Sequence, residues 1–128
     1  MRTPMKDLPA HKSPFSEKVK GVEMFTEDWG DMTCGCYRYP KGVDFTPYFV
    51  GMPDDLCPIP HYGYCLKGTF HVRYKDGKEE VVKAGDLFYL PPPHTFWIDE
   101  DTEMIMFSPL KLMSESVKLA QSNLGSEK

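Results

Sequence analysis

Nine short apolar runs separated by turn residues are the feature that most constrains this chain. Runs of this length and spacing are typical of antiparallel strands. The 12 prolines and 10 glycines supply the turns, and 13% aromatic residues favour strands over a helical bundle. The runs are Val22–Phe25, Met32–Tyr39, Phe45–Val50, Tyr62–Leu66, Phe70–Tyr74, Glu80–Val82, Leu87–Leu90, Phe96–Ile98 and Met104–Phe107. The pattern predicts an all-β fold.

The clearest hairpin covers Thr69–Lys83. Phe70 and Val72 alternate with the polar His71, so one face of the strand is apolar and the other is polar. The Asp76-Gly77 pair provides the positive φ that a tight turn needs. We therefore expect the register of this hairpin to be well fixed, with His71 on the surface.

The two ends of the chain have different patterns. Residues 1–20 are interrupted by prolines and lack an apolar period, so we expect an extended N-terminal arm that is disordered or is ordered by a partner chain. Residues 21–109 would form the β-barrel. In 110–128, the apolar spacing over Leu110–Leu124, with Gly125 as a stop signal, predicts a C-terminal helix and tail.

The composition excludes several classes of partner. Fifteen Lys and Arg against 19 Asp and Glu give a formal charge of −4, with no basic run for nucleic acid. The apolar runs are too short to span a bilayer, and no apolar stretch follows the positive N-terminus as in a secretory signal. We therefore expect neither nucleic-acid nor membrane partners, and a cytoplasmic protein whose four cysteines are thiols or metal ligands.

The segment around Cys57 concentrates residues that can bind a metal. Cys57 and His61 are four residues apart, and Pro58 and Pro60 between them exclude a helix. On an extended segment this spacing directs both side chains to one face. Farther along the chain, His94 follows three consecutive prolines that would hold it rigidly.

A thiolate and two imidazoles form a ligand set that suits Zn²⁺, with Fe²⁺ or Ni²⁺ less favoured by the sulfur. Three protein ligands would leave a fourth position open for water or substrate. Alternatives remain for each residue: Cys57 as a small buried hydrophobe, His94 as a cap on a proline turn. Asp55 is either a solvated turn residue or a fourth ligand.

Other polar residues have weaker signals. Cys34 and Cys36 share one strand face and are either core residues or a metal or redox pair. Tyr48, Tyr64 and Glu23, like Asp55, are candidate acids or bases, and no spacing singles one out. Most of the aromatic residues are expected to pack the barrel.

Three segments over residues 45–109 resemble the conserved blocks of the cupin superfamily: Tyr64-Cys-Leu-Lys-Gly68, Lys83-Ala-Gly-Asp86 and Tyr89-Leu-Pro-Pro-Pro-His94. The resemblance implies a small antiparallel jelly-roll barrel with its site in the interior. When Gly68 is taken as the motif glycine, His61 stands at the family's Glu position, and Cys57 and Asp55 at its two His positions. His94 precedes the family's last His position, occupied by Phe96, by two residues.

The resemblance does not choose among functions. One hypothesis is an enzyme whose metal polarises an oxygen, or generates hydroxide, at a small anionic or carbonyl-bearing substrate. The second is a non-catalytic module that binds a small molecule, with a structural metal. The third is a dimerisation scaffold without metal. We expect a homodimer, because small cupins resemble one another in pairing sheets through edge strands.

Overall fold

The computed structural model describes residues 1–11, 14–116 and 118. Eight strands account for most of the regular structure in this part of the chain. In chain order they are β1 (Glu23–Trp29), β2 (Met32–Tyr39), β3 (His61–Lys67), β4 (Thr69–Tyr74), β5 (Glu79–Lys83), β6 (Leu87–Leu90), β7 (His94–Ile98) and β8 (Thr102–Pro109). The all-β fold class is confirmed.

The strands form two antiparallel sheets. One sheet has the order β1-β2-β8-β3-β6, and the other has the order β5-β4-β7. The hairpin of β4 and β5 has Thr69 opposite Lys83, and its alternation is as expected, with Phe70 and Val72 fully buried. The sheets face each other as a jelly-roll sandwich rather than closing into one continuous barrel.

The chain crosses from the first sheet to the second at Gly68, between β3 and β4. Its φ is +88°, a conformation that side chains disfavour. A Cβ at this position would lie 2.3 Å from the carbonyl oxygen of Asp101. The crossover therefore requires glycine for both its conformation and its space.

One predicted strand is wrong. The run Phe45–Val50 contains a 3₁₀ helix over Thr46–Phe49, with Pro47 in its first turn. Proline has no N–H to donate to a neighbouring strand, and its fixed φ suits the start of a helical turn. Phe45 nevertheless enters the core, where its ring stacks on that of Phe96 at a centroid distance of 4.4 Å.

The core fills the space between the sheets. Phe70 and Phe88 meet edge to face at 5.5 Å, and Leu90 and Met104 are also buried there. Each apolar side chain that is fully excluded from water stabilises the folded protein by about 1.5–3 kcal/mol. The packed apolar faces of the two sheets therefore hold in place the strands that carry the buried polar residues described below.

The N-terminal residues contact the first sheet. Met5–Asp7 is a 3₁₀ helix and Pro14–Lys18 is a short α-helix, α1. Between them, the His11 N–H donates to the Met24 carbonyl at 2.7 Å, and the Thr26 N–H donates to the Pro9 carbonyl at 3.1 Å. Residues 9–11 therefore run alongside β1 of their own chain.

After β8 the chain is helical over 110–116. The rest of the helix predicted for Leu110–Leu124 falls at 117–124, of which only 118 lies within the described residues. Over the part of the chain that the structure describes, no helix combines the length and the apolar character needed to cross a membrane.

Candidate metal centre

The structure brings Cys57, His61 and His94 together. One ligand atom from each residue lies within 4.8 Å of the ligand atoms of the other two, and all three side chains are buried. His61 begins β3 and His94 begins β7, so the two sheets each contribute one imidazole. Cys57 comes from the extended segment that precedes β3.

The backbone ties two of these residues directly to each other. The Cys57 N–H donates to the His94 carbonyl at 2.7 Å, and the His94 N–H donates to the Cys57 carbonyl at 3.2 Å. This pair is an isolated antiparallel bridge on the open side of β7. The thiol and the imidazole are therefore neighbours because of main-chain pairing, independently of any ligand.

Hydrogen bonds orient both rings. The Nδ1 atom of His61 lies 2.6 Å from the Ser108 hydroxyl oxygen, and the Nδ1–H of His94 donates to the Pro91 carbonyl at 3.1 Å. With both Nδ1 atoms engaged, the Nε2 atoms are left for other partners. His61 Nε2 is 3.8 Å from the Cys57 sulfur.

The Nε2 atom of His94 is buried and has no hydrogen-bond partner among the described residues. A buried nitrogen without a partner costs about 1–3 kcal/mol, so native structures rarely keep one. His94 belongs to the same cluster as Cys57 and His61. A cation bound among the three residues would satisfy it.

Burial keeps the cluster uncharged. It raises the pKa of the Cys57 thiol to about 12, and together with the nearby His94 it lowers the pKa of His61 to about 3. The pKa of His94 is also lowered by burial, against the opposing effect of the Pro91 carbonyl. Neutral imidazoles can bind a metal at once, whereas the thiol must lose its proton to the incoming cation.

Sulfur and two imidazole nitrogens are donors that Zn²⁺ accepts, and three protein ligands are the number found in open zinc sites. The second-sphere contacts are also suitable, because ligating histidines normally donate their other ring N–H to a neighbouring acceptor. Ser108 and the Pro91 carbonyl occupy those positions here. The residues present therefore fit a divalent metal ion.

The remaining candidates from the sequence lie elsewhere. Asp55 is exposed, and its carboxylate accepts the Gly51 N–H at 2.9 Å, outside the cluster. His71 bonds through Nδ1 to Asp99 on the outer face of the second sheet, and its ring stacks on Trp97. Asp55 therefore stabilises a loop, and His71 stabilises the outer surface of the second sheet.

The other cysteines and acid–base candidates are also outside the cluster. Cys34 and Cys36 are buried on β2 and alternate with Tyr37, so they share the face opposite to the core. Glu23 forms an ion pair with Arg38 at 3.7 Å. Tyr64 is on the outer face of β3, and Tyr48 packs against Phe45 with the ring centroids 6.2 Å apart. No member of this group is part of the cluster.

Ser108 is a site residue that the sequence did not reveal. It is fully buried on β8, where alternation places it on the inner face with Met104 and Met106. The pairing of Tyr62 with Phe107 brings Ser108 beside His61. In the sequence, Ser108 could have been recognised as a polar residue at an inward-facing position of a strand, because buried polar side chains normally have a hydrogen-bond partner.

A cavity of about 390 Å³ adjoins the cluster, and Cys57 and His61 form part of its wall. Most of the wall is apolar. Six of the large apolar side chains in it are Tyr39, Phe45, Phe49, Met52, Phe96 and Met106. Tyr37 also lines the cavity, although its hydroxyl is shielded from solvent and has no hydrogen-bond partner among the described residues.

Comparison with known proteins identifies the fold. The sequence model of the cupin domain matches residues 58–109, which include His61 and His94. Solved structures of similar fold include one described as an RmlC-like cupin, from Shewanella frigidimarina. The chain is a cupin-fold protein. The family match begins one residue after Cys57.

The similarity of this chain to solved structures is in fold rather than in sequence. The Shewanella frigidimarina protein is 17% identical, with a TM-score of 0.57 over 84% of this chain and 87% of that one. A protein of unknown function from Rhizobium leguminosarum is 16% identical, with a TM-score of 0.58 over 85% and 95%. Ectoine synthase from P. lautus is 8% identical, with a TM-score of 0.58 over 85% and 77%. No curated protein sequence matches the chain significantly.

Proposed function

We propose that this protein is a small metal-binding cupin in which Cys57, His61 and His94 hold one divalent ion beside a cavity for a small molecule. The observation that carries the proposal is the buried Nε2 of His94, which has no hydrogen-bond partner among the described residues, on a side chain that clusters with Cys57 and His61. A metal would turn this unfavourable group into a ligand. The main-chain bridge between Cys57 and His94 supports a site that exists before the ion arrives.

Zn²⁺ is the ion that this donor set favours, ahead of Fe²⁺ and Ni²⁺, because a thiolate is softer than the carboxylate of common non-haem iron sites. A bound zinc would polarise a substrate oxygen or lower the pKa of a bound water. The wall formed by Cys57 and His61 would direct the open coordination position to the cavity.

A non-catalytic role is the second candidate. Within the described lining of the cavity, the charged side chains are those of Asp28 and Lys118, and both are exposed. A general base would be expected within hydrogen-bond reach of a molecule held at the metal. The lack of a buried carboxylate in this described lining favours binding of a ligand, with the metal as an anchor.

We also propose that the protein is a cytoplasmic homodimer. The outer face of the first sheet carries exposed apolar side chains, with Leu87 at 83% and Tyr89 at 51% exposure. Tyr62 stacks on Tyr89 at 4.9 Å, and Phe107 pairs with Tyr62 on the adjacent strand. Sheet faces of this character are covered in many assemblies. Four free cysteines support a reducing compartment.

Elemental analysis of the purified protein, combined with titration by zinc, tests the metal proposal. We expect one zinc per chain in the wild type and a large loss of affinity in Cys57→Ser, with the fold retained. His71→Gln is the matched control and should keep its zinc. Full metal content in Cys57→Ser would contradict the assignment. Sedimentation at micromolar concentration tests the dimer, and a monomer would contradict it.

A further inference from the structure

The cavity beside the cluster limits which kinds of small molecule the protein can bind. Its volume of about 390 Å³ falls in the range of small-molecule pockets. Both sheets and the C-terminal helix contribute to it: Tyr39 lies on β2, Phe96 on β7 and Met113 on the helix. A cavity enclosed on three sides can surround a ligand rather than merely touch it.

The wall is chemically uniform over most of its extent. Aromatic rings and methionine side chains dominate it, and Phe96 lies between the rings of Phe45 and Phe49. Such a wall offers dispersion contacts and few hydrogen bonds. The hydroxyl groups of the described lining are those of two tyrosines, Thr26, Thr33, Ser114 and Ser116. A sugar or another polyhydroxy molecule would therefore bury much of its hydrated surface against apolar side chains.

The charged side chains of the described lining are exposed to solvent. Among the described lining residues, His11, Asp28 and Lys118 are exposed. Asp28 accepts a hydrogen bond from the Thr33 hydroxyl at 3.1 Å. No cationic side chain of the described lining is buried, so a phosphate or a carboxylate deep in the cavity would have no counter-charge from these residues.

Cys57 and His61 form a polar part of the wall. We infer that the cavity takes a small, hydrocarbon-rich molecule with one neutral oxygen-bearing group, such as an aryl or branched alkyl carbonyl compound, with the oxygen towards these two residues. The orientation rests on the proposed metal, whereas the hydrocarbon character rests on the cavity alone. Of the anionic and carbonyl-bearing substrates considered from the sequence, the cavity favours the carbonyl-bearing class.

Three hydroxamates with one zinc-binding group and different bodies test this inference in the zinc-loaded protein. They are acetohydroxamate, benzohydroxamate and 4-carboxybenzohydroxamate, with dissociation constants measured by calorimetry. We expect benzohydroxamate to bind about tenfold more tightly than acetohydroxamate, because burial of the ring adds to affinity. The added carboxylate should abolish that gain. Equal binding of the first two, or tightest binding of the third, would overturn the inference.

A charge introduced into the wall gives an independent check. Met113 is half-buried and lines the cavity, whereas Lys111 on the same helix is exposed and does not line it. Met113→Lys should weaken benzohydroxamate and strengthen 4-carboxybenzohydroxamate by about fivefold, as an ion pair in a partly buried site would. Lys111→Glu should leave both affinities unchanged. Unchanged preference in Met113→Lys would count against the assigned cavity.

A metal-free arm separates this inference from the metal proposal. Benzamide and acetamide have the same bodies as the first two hydroxamates and lack their chelating group. In metal-stripped protein, ligand-observed NMR should detect benzamide and not acetamide. If zinc never binds and benzamide still does, the metal proposal fails and the ligand class stands. If zinc binds and neither aromatic probe is preferred, the ligand class fails and the metal proposal stands.

Discussion

The Nδ1 atom of His61 and the hydroxyl oxygen of Ser108 are 2.6 Å apart in the interior of the protein, although 47 positions separate the two residues in the chain. The pairing of β3 with β8 creates this contact. It determines which imidazole nitrogen faces Cys57. The orientation of one proposed ligand therefore depends on a serine that belongs to a different part of the sequence.

Replacement of Ser108 by Ala should weaken zinc binding. Loss of a hydrogen-bond partner behind a ligating histidine typically lowers metal affinity about 10–100-fold, because the ring is no longer oriented. The measurement is competition for zinc with a chromophoric chelator. Ser114→Ala, at an exposed position on the C-terminal helix, is the control and should retain wild-type affinity. Wild-type affinity in Ser108→Ala would show that the contact does not orient the ligand.

The stability of the metal-free protein should fall when the pH is lowered from 6.5. Burial lowers the pKa of His61 from its ordinary 6.5 to about 3. Between these two pH values the unfolded chain binds a proton at this residue, whereas the folded protein does not. The contribution of neutral His61 to the free energy of unfolding is therefore fully present above pH 6.5 and decreases as the pH falls towards 3. The decrease is about 2 kcal/mol between pH 6.5 and 5 for this residue alone. Urea unfolding in the presence of a chelator measures it.

His61→Gln should have a weaker dependence on pH over the same interval, because the substituted side chain does not titrate. A wild-type free energy of unfolding that stays constant from pH 6.5 to 5 would show that His61 is accessible to protons in the folded state.

Tyr37→Phe should stabilise the protein by about 1 kcal/mol. The phenol is almost fully buried, and its hydroxyl has no hydrogen-bond partner in the described structure, so removing it relieves a desolvation penalty without losing a bond. Thermal or urea unfolding of the metal-free protein is the measurement. Tyr39→Phe, two residues along the same strand, should show no comparable gain. Destabilisation by Tyr37→Phe would indicate that the hydroxyl has a partner.

Gly68→Ala should destabilise the protein more than Gly77→Ala does. Both glycines have φ near +88°, so both substitutions carry a backbone penalty of about 1 kcal/mol. Only at Gly68 does the new methyl group meet a carbonyl oxygen, that of Asp101, whereas at Gly77 it meets no atom of the described residues within 4 Å. We expect the additional loss to be at least about 2 kcal/mol. Equal losses would place the strain in φ alone.

Local patterns were sufficient for much of this fold. Alternation over Phe70–Tyr74 and the Asp76-Gly77 turn predicted the hairpin, because both act between neighbours in sequence. The prolines beside Cys57 and His61 likewise determine a local parity, and the expectation that both side chains share one face is confirmed by their proximity. The cupin resemblance supplied the arrangement that no local pattern contains.

Pairing between distant strands was not predictable from the same signals. Ser108 meets His61 only because β8 lies between β2 and β3, and a single sequence does not specify that order. The run Phe45–Val50 was mistaken for a strand because its apolar content outweighed Pro47 in the interpretation. The contact of residues 9–11 with β1 is made by main-chain groups, which have no side-chain signature.

The reciprocal main-chain bonds between Cys57 and His94 make the geometry of this centre independent of what the two side chains are. A different side chain at position 57 would emerge from the same point of the backbone, because the bonds to position 94 are made by main-chain groups. The backbone thus determines where the ligand atoms start, whereas the side chain at position 57 determines whether the donor atom is soft or hard. Replacement of the Cys57 sulfur by an imidazole or a carboxylate would change which metal ion the proposed site prefers, with the cavity and both histidines left in place.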